Sequence, residues 1–348
     1  WLHPSVSDSE ADLDGLNGVE SRDFALLAEQ WSESGIPLVI NEFLASNSNG
    51  AWDPQYERDD WIEIYNAGEY TIDIGGMYLT DDLEDPTKWQ IPSVSTLTRI
   101  GPGGYAVIWA DDDEEDNPNG LHAGFQLGIG GEEIGLYAER RIDGQIIPVD
   151  TIEFSAQESD ISYGRYPDGG GTWQWFTSPS PGWANTGGYA DFVSEVEFSH
   201  ERGFYNSPIQ VTLASDSEGA SIYYSTNGEE PGVPSGRIVT GILYTGPILI
   251  DHTTCLRAMA RITGWMPTDV VTHTYVFIAD VKTQSSAGQA PGPEWPLPGR
   301  VNSQIIDYGM DPDVVNNYTY RDLIDDALLA IPSISIVTDL DNLFSATT

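Results

Sequence analysis

A twelve-residue acidic loop, Asp12-Leu-Asp-Gly-Leu-Asn-Gly-Val-Glu-Ser-Arg-Asp23, stands directly before the run Phe24 to Trp31. Acids occupy its positions 1, 3, 9 and 12. With Gly18, the residues Asp12, Asp14, Glu20 and Asp23 could gather the six to eight oxygens that calcium takes. Leu16 fills position 5, where an oxygen is expected, and Asn17 fills position 6, where asparagine tolerates the left-handed turn. The loop therefore reads either as a weakened calcium site or as an acidic cap before a helix. A second acidic run, Asp111-Asp-Asp-Glu-Glu-Asp116, follows a hydrophobic strand-like segment. Crowded carboxylates repel one another unless water or a cation screens them. Asp111, Asp112 and Asp113 thus read as a solvated loop or as a second calcium site at the end of a sandwich. Aromatic chemistry is the third candidate. Trp173 and Trp175 alternate onto one face near Trp183, and Trp52 and Tyr56 share an earlier loop. Such rings either stack on sugars or fill a core.

No catalytic residue emerges. Acids are so common here that carboxylate pairs carry little information about glycoside hydrolysis. Asp59, Asp60 and Glu63 read as solvation of a strand edge. His3, His122, His200, His252 and His273 are scattered, without the close histidine pair of a zinc helix. No nucleophile elbow is present, and Gly128-Ile-Gly-Gly131 lies between strand-like runs as a turn rather than opening a helix. Cys255, the single cysteine, sits in the strand-like run Thr253 to Ala260 and reads as a small buried thiol.

The elements that must position these groups are mostly strands. Trp61 to Tyr65, Gly104 to Trp109, Glu133 to Tyr137 and Val149 to Phe154 alternate with turn clusters, the pattern of an antiparallel sandwich. A second set follows in Gly203 to Leu213, Ala220 to Ser225, Tyr244 to Ile250, Thr253 to Ala260 and Val270 to Phe277, with Thr226-Asn-Gly228 as a hairpin turn. Two helices are expected. One places Phe24, Leu27 and Trp31 on a single face, and the other runs from Tyr320 to Ala330. Ser285 to Gly299 is rich in Pro, Gly and Ser, as in a linker.

Composition narrows the partners. The 348 residues include 55 Asp and Glu against 14 Lys and Arg, a net charge of −41 that repels nucleic acid and anionic membranes. No apolar stretch approaches the ~20 residues needed to span a bilayer. One cysteine excludes an intramolecular disulfide. The start at Trp1 and the stop at Thr348 read as cuts through a longer protein.

Several segments resemble known families. Leu38-Val-Ile-Asn-Glu-Phe-Leu-Ala-Ser-Asn47, Asp60-Trp-Ile-Glu-Ile-Tyr-Asn66, Phe125 to Tyr137, Ser162 to Gly169 and Ser178-Pro-Ser-Pro-Gly-Trp-Ala-Asn-Thr186 together resemble the bacterial lamin-tail domain, an immunoglobulin-like sandwich. The second strand set resembles the fibronectin-like module at the C-terminus of chitobiase and β-hexosaminidase. The acidic loop and its helix resemble half of a dockerin. Ile331 to Phe344 resembles the opening of a CotH-type kinase domain.

These resemblances imply a mainly β chain with two immunoglobulin- or fibronectin-like antiparallel sandwiches in tandem, a short N-terminal loop-helix and a partly helical C-terminal tail. The implied segments are 1–35 (dockerin-like), 36–188 (lamin-tail), 190–278 (chitobiase-type), 279–330 (linker with helix) and 331–348 (start of a CotH-like domain). They imply an exported protein, extracellular or on the cell surface. The expected function is non-catalytic scaffolding or adhesion, with a polysaccharide or a cell-surface or extracellular protein as partner and calcium as cofactor. The alternative is a set of accessory modules of an exported enzyme, a CotH-like kinase or a glycan-processing enzyme.

Overall fold

A computed structural model describes residues 35–93, 96–112, 119–140, 143–232, 241–284, 299–301, 304–306 and 309–338. The dockerin-like segment and the Ser285 to Pro298 stretch lie outside these residues. The chain divides into two compact units, 1–190 and 191–348.

In the first unit the strands are β1 (Leu38–Leu44), β2 (Asp60–Asn66), β3 (Ile72–Asp73), β4 (Tyr78–Thr80), β5 (Trp89–Gln90), β6 (Arg99–Ile100), β7 (Tyr105–Ala110), β8 (His122–Ala123), β9 (Gly131–Glu139), β10 (Ile146–Ser155), β11 (Ser162–Arg165) and β12 (Trp173–Phe176). A six-stranded sheet, in the order β12-β11-β1-β2-β7-β8, faces a four-stranded sheet, β10-β9-β4-β5. Phe43, Ile62 and Ile108 line up across β1, β2 and β7. They pack with Leu79, Ile134, Leu136 and Phe154 of the facing sheet in one buried core. The Phe43 and Phe154 rings meet at 4.5 Å between centroids.

Strand β1 shows how a polar pair survives inside an apolar strand. Strict alternation from Ile40 would point Glu42 into the core and Phe43 out of it. A β-bulge between Ile40 and Glu42 sets Asn41 and Glu42 together opposite Glu63 and returns Phe43 to the core face. Leu44, next along the strand, pairs with Trp61 on the outer face, and Trp61 with Trp109, as a small separate apolar cluster.

The second unit contains β13 (Glu197–Phe198), β14 (Gly203–Tyr205), β15 (Ile209–Val211), β16 (Leu213–Ala214), β17 (Ser221–Ser225), β18 (Ile242–Leu243), β19 (Ile248–Ile250), β20 (Thr254–Arg261) and β21 (Val271–Phe277). Its main sheet runs β14-β21-β20-β17-β18, flanked by the pairs β13-β16 and β15-β19. Val211, Ile250, Leu256, Ala258 and Tyr275 fill a core of its own. Helices α1 (Ile278–Thr283), α2 (Pro312–Val315) and α3 (Ile324–Ala330) follow.

The mainly β tandem expected from the sequence is what forms. Three local expectations change. Gly228 does take a positive φ of 83°, but β17 and β18 pair across a connection spanning 226–241, so Asn227-Gly228 is not a two-residue hairpin. The C-terminal helix starts at Ile324, later than Tyr320, because Tyr318 to Leu323 form turns instead. The edge pairings β7–β8 and β14–β21 are parallel, each reached by a long connection rather than a hairpin.

Candidate functional site

Two polar constellations are built on the six-stranded sheet. The first lies on its outer face, where the segment 177–187 crosses β1 and β2. Glu63 was expected to solvate a strand edge. Instead β2 is an inner strand, and both Glu42 and Glu63 have no exposed surface. Every carboxyl oxygen of the pair has a hydrogen-bond partner. Asn41 Nδ2 donates to Glu63 Oε1 at 2.9 Å, and the Gly182 N–H to Oε2 at 2.6 Å. Ser162 Oγ and the Ser180 N–H donate to Glu42 Oε1. A third carboxylate, Asp168, accepts from Asn41 Nδ2 (3.1 Å), the Asn185 N–H (3.1 Å) and Tyr105 Oη (2.7 Å).

Burial, opposed by these bonds and aided by the neighbouring acids, raises Glu63 to about 8 and also pushes Glu42 up. The hydrogen bonds point the same way for Glu42. Ser180 Oγ stands 3.1 Å from Glu42 Oε2 and 2.9 Å from Asn185 Oδ1, yet a hydroxyl has one proton. Both contacts are satisfied when a protonated Glu42 donates to Ser180 and Ser180 donates to Asn185. With no surface open to a substrate, the pair fastens the segment 177–187 to the sheet and is not placed for acid–base catalysis.

Gly164 shows how closely the layers meet. A Cβ there would stand 2.8 Å from Asn185 Nδ2, 2.9 Å from the Asn41 carbonyl and 3.0 Å from Glu42 Cγ. Gly164→Ala is expected to lower the stability of this unit by about 1–3 kcal/mol in urea denaturation, through overpacking. A neutral result would mean that the segment yields to the extra methyl group.

The second constellation lies at the end of the same sheet where β2 begins and β7 ends. Asp111 follows β7, and the parallel pairing of β8 sets His122 beside Trp109. Asp53 comes from the loop between β1 and β2. One oxygen each from Asp53 and Asp111 and a ring nitrogen of His122 lie within 4.8 Å of one another. His122 Nδ1 and Asp111 Oδ2 are 2.5 Å apart. Asp53 Oδ1 accepts the N–H groups of Gln55 (2.9 Å) and Glu57 (2.6 Å), which fixes the carboxylate. Its other oxygen has no hydrogen-bond partner among the described residues, and the same holds for His122 Nε2 and Asp59 Oδ2. Burial, then repulsion from Asp111 and Asp53, raises Asp59 to about 6.

The remaining sequence candidates are distributed differently. Asp12, Asp14, Gly18, Glu20, Asp23 and Asp113 lie outside the described residues. Asp112 is exposed, with a positive φ of 61°. Trp173 and Trp175 flank Tyr163 on the core-facing side of the sheet, at 5.2 and 4.6 Å between ring centroids, and Trp173 also carries the Arg165 guanidinium at 4.8 Å. Trp183 is 76% exposed in the segment on the opposite face, so the three tryptophans do not form one platform. Cys255 is half-buried, and burial raises its thiol. Asn41, Glu42, Asp53 and His122 were not singled out from the sequence as site residues. The polar pair Asn41-Glu42 inside an apolar strand was the one visible signal. Nothing in the order of residues joins Asp53 to His122.

A family model for the Lamin Tail Domain matches residues 32–155, and one for the Chitobiase/beta-hexosaminidase C-terminal domain matches residues 200–272. No curated protein matches. Among solved structures, the crystal structure of murine CEACAM1b is similar at 10% identity, covering 63% of this chain and 94% of that one. Its TM-score of 0.20 carries no argument about fold. Strands β11 and β12 lie past the end of the first match, yet β11 pairs with β1 and completes the six-stranded sheet. Two immunoglobulin-like modules thus follow one another in this chain, a lamin-tail domain and then a chitobiase/β-hexosaminidase C-terminal domain.

Proposed function

We propose that this chain is a non-catalytic, modular portion of an exported protein, whose sandwiches space and present neighbouring domains and contact a polysaccharide or an extracellular protein. The observation that carries the reading is the separation of cores. Each unit buries its own apolar cluster, and the buried Glu42–Glu63 pair of the first sandwich is fastened to backbone and side-chain partners instead of facing a cleft. The strongly acidic composition supports a solvated exterior and argues against nucleic-acid partners. The module named for chitobiase and β-hexosaminidase supports carbohydrate as the partner class.

The same match favours a second reading, accessory modules of a glycan-processing enzyme. Its kinase version rests on the resemblance of residues 331–344 and of the 307–313 stretch before them. In the structure Ile334 and Ile336 are exposed.

Separate chains of residues 35–190 and 191–338 should each give a cooperative melt. In the intact chain, Leu256→Ala removes a fully buried side chain from the second core. It should destabilise that unit by about 2–5 kcal/mol and leave the transition of the first in place. A single transition that shifts as a whole, or a fragment that fails to fold, would contradict modularity. Glycan-array binding by the intact chain, lost on deleting 191–338, would identify the carbohydrate module. Binding confined to proteins would favour the adhesion form of the reading.

A further inference from the structure

The end of the six-stranded sheet holds a group that the scaffold reading does not use. Asp53 is 4% exposed and His122 5%. Burying a carboxylate without a counter-charge or a full set of donors costs several kcal/mol. The fastened carboxyl groups on the outer face of the sheet meet this cost with a hydrogen-bond partner on each oxygen and a raised proton affinity. Here Asp53 Oδ2, Asp59 Oδ2 and His122 Nε2 are buried with no such partner among the described residues. No lysine or arginine is ion-paired with Asp53 or Asp59 among these residues. The nearby Arg58 is directed instead at the Ser48 carbonyl, Asn49 Oδ1 and the Trp52 ring.

The arrangement is also prepared from outside. The Asp53 carboxylate is held by two backbone N–H groups through Oδ1, leaving Oδ2 directed elsewhere. Gly120 lies directly against the His122 ring, where any side chain would collide with Nε2, so the ring position depends on a glycine there.

We propose that Asp53, Asp111 and His122, with Asp59 adjoining, form a binding site for a divalent transition-type cation, zinc being its representative. The donor set decides the class. Zinc takes imidazole and carboxylate ligands together and is satisfied by four. Calcium prefers six to eight oxygens, and this cluster supplies fewer and adds a nitrogen. The site therefore shares only Asp111 with a calcium loop at Asp111, Asp112 and Asp113, and differs from it in its other ligands and in its metal. It ties the loop between β1 and β2 to the ends of β7 and β8, so the bound ion would staple the open end of the first sandwich.

The test uses the intact chain after chelator treatment and dialysis. Zinc should bind with one strong site by calorimetry and raise the melting transition of the first unit by several degrees. Cobalt(II) in its place should give visible absorption bands of a low-coordinate site. Asp53→Asn keeps the acceptor for Gln55 and Glu57 while replacing the ligand oxygen. It should weaken zinc ~10-fold or more, as should His122→Gln. Asp112→Ala should leave binding unchanged. If His122→Gln does not fold, the near-isosteric Asp53→Asn alone decides. No zinc-dependent shift in the native chain would overturn the proposal, as would zinc affinity untouched by Asp53→Asn, or a larger stabilisation by calcium than by zinc.

Discussion

Asn41→Asp should destabilise the first sandwich by about 3–5 kcal/mol, the cost expected when a buried charge loses its partners. At this size of unit that lowers the melting temperature by roughly 10 °C. Asn41 is fully buried, and its amide donates to Glu63 at 2.9 Å and to Asp168 at 3.1 Å. The substitution removes both donors and sets a new buried carboxylate between Asp168 and the carboxyl group of Glu63. Its remaining oxygen can still accept the Gly169 N–H, so the loss falls on the acids. Asn41→Ala removes the same donors without adding charge and should cost less, about 1–3 kcal/mol for acceptors left unsatisfied. Below about pH 4, where aspartic acid is neutral, the Asp variant should approach the Ala variant. Urea unfolding of the three proteins at pH 7 and pH 4, followed by tryptophan fluorescence, gives the order. Equal or milder loss in Asn41→Asp would show that the network is not under electrostatic stress.

The second large effect is on pH dependence. Glu63 ionises near its ordinary 4.5 in the unfolded chain and at about 8 in the fold, because burial disfavours its charge. Below the lower value both states hold the proton, and this group makes no difference. Between the two, the unfolded chain releases the proton while the fold retains it, so stability falls as pH rises, by up to about 1.4 kcal/mol per unit. Above the higher value both states are ionised and the loss levels off. Glu42 shifts in the same direction. The first unit should therefore lose stability on the order of 4 kcal/mol between pH 5 and pH 8. Glu63→Gln replaces the titrating carboxyl with a permanently neutral amide, so its slope across this window should be visibly flatter. The general repulsion of an acidic chain acts equally on both proteins and cancels in the comparison. Identical slopes would mean that Glu63 is not the titrating group.

Strand runs, their alternation and the turn clusters between them were legible in order along the chain. These local patterns report which face of each strand is apolar, and they suffice for a mainly β chain with two sandwiches. The residues of Leu38 to Asn47, Asp60 to Asn66 and Ser178 to Thr186 likewise mark the first module. Their roles were not legible. Asn41 and Glu42 read as polar interruptions and Glu63 as an edge acid, because a one-residue bulge and the central place of β2 are properties of pairing between strands. Only the crossing of segment 177–187 over the sheet turns those acids from solvated groups into buried ones with raised proton affinity. Trp173 and Trp175 alternate together as the sequence requires, yet which face is apolar core and which carries Trp183 depends on the sheet they join. Asp53 and His122 are separated in the chain by all the strands from β2 to β7, and they meet because β8 adds in parallel to the end of β7. Secondary structure follows from neighbours in sequence, whereas a site of this kind arises from contacts between residues far apart in the chain, which the fold alone brings together.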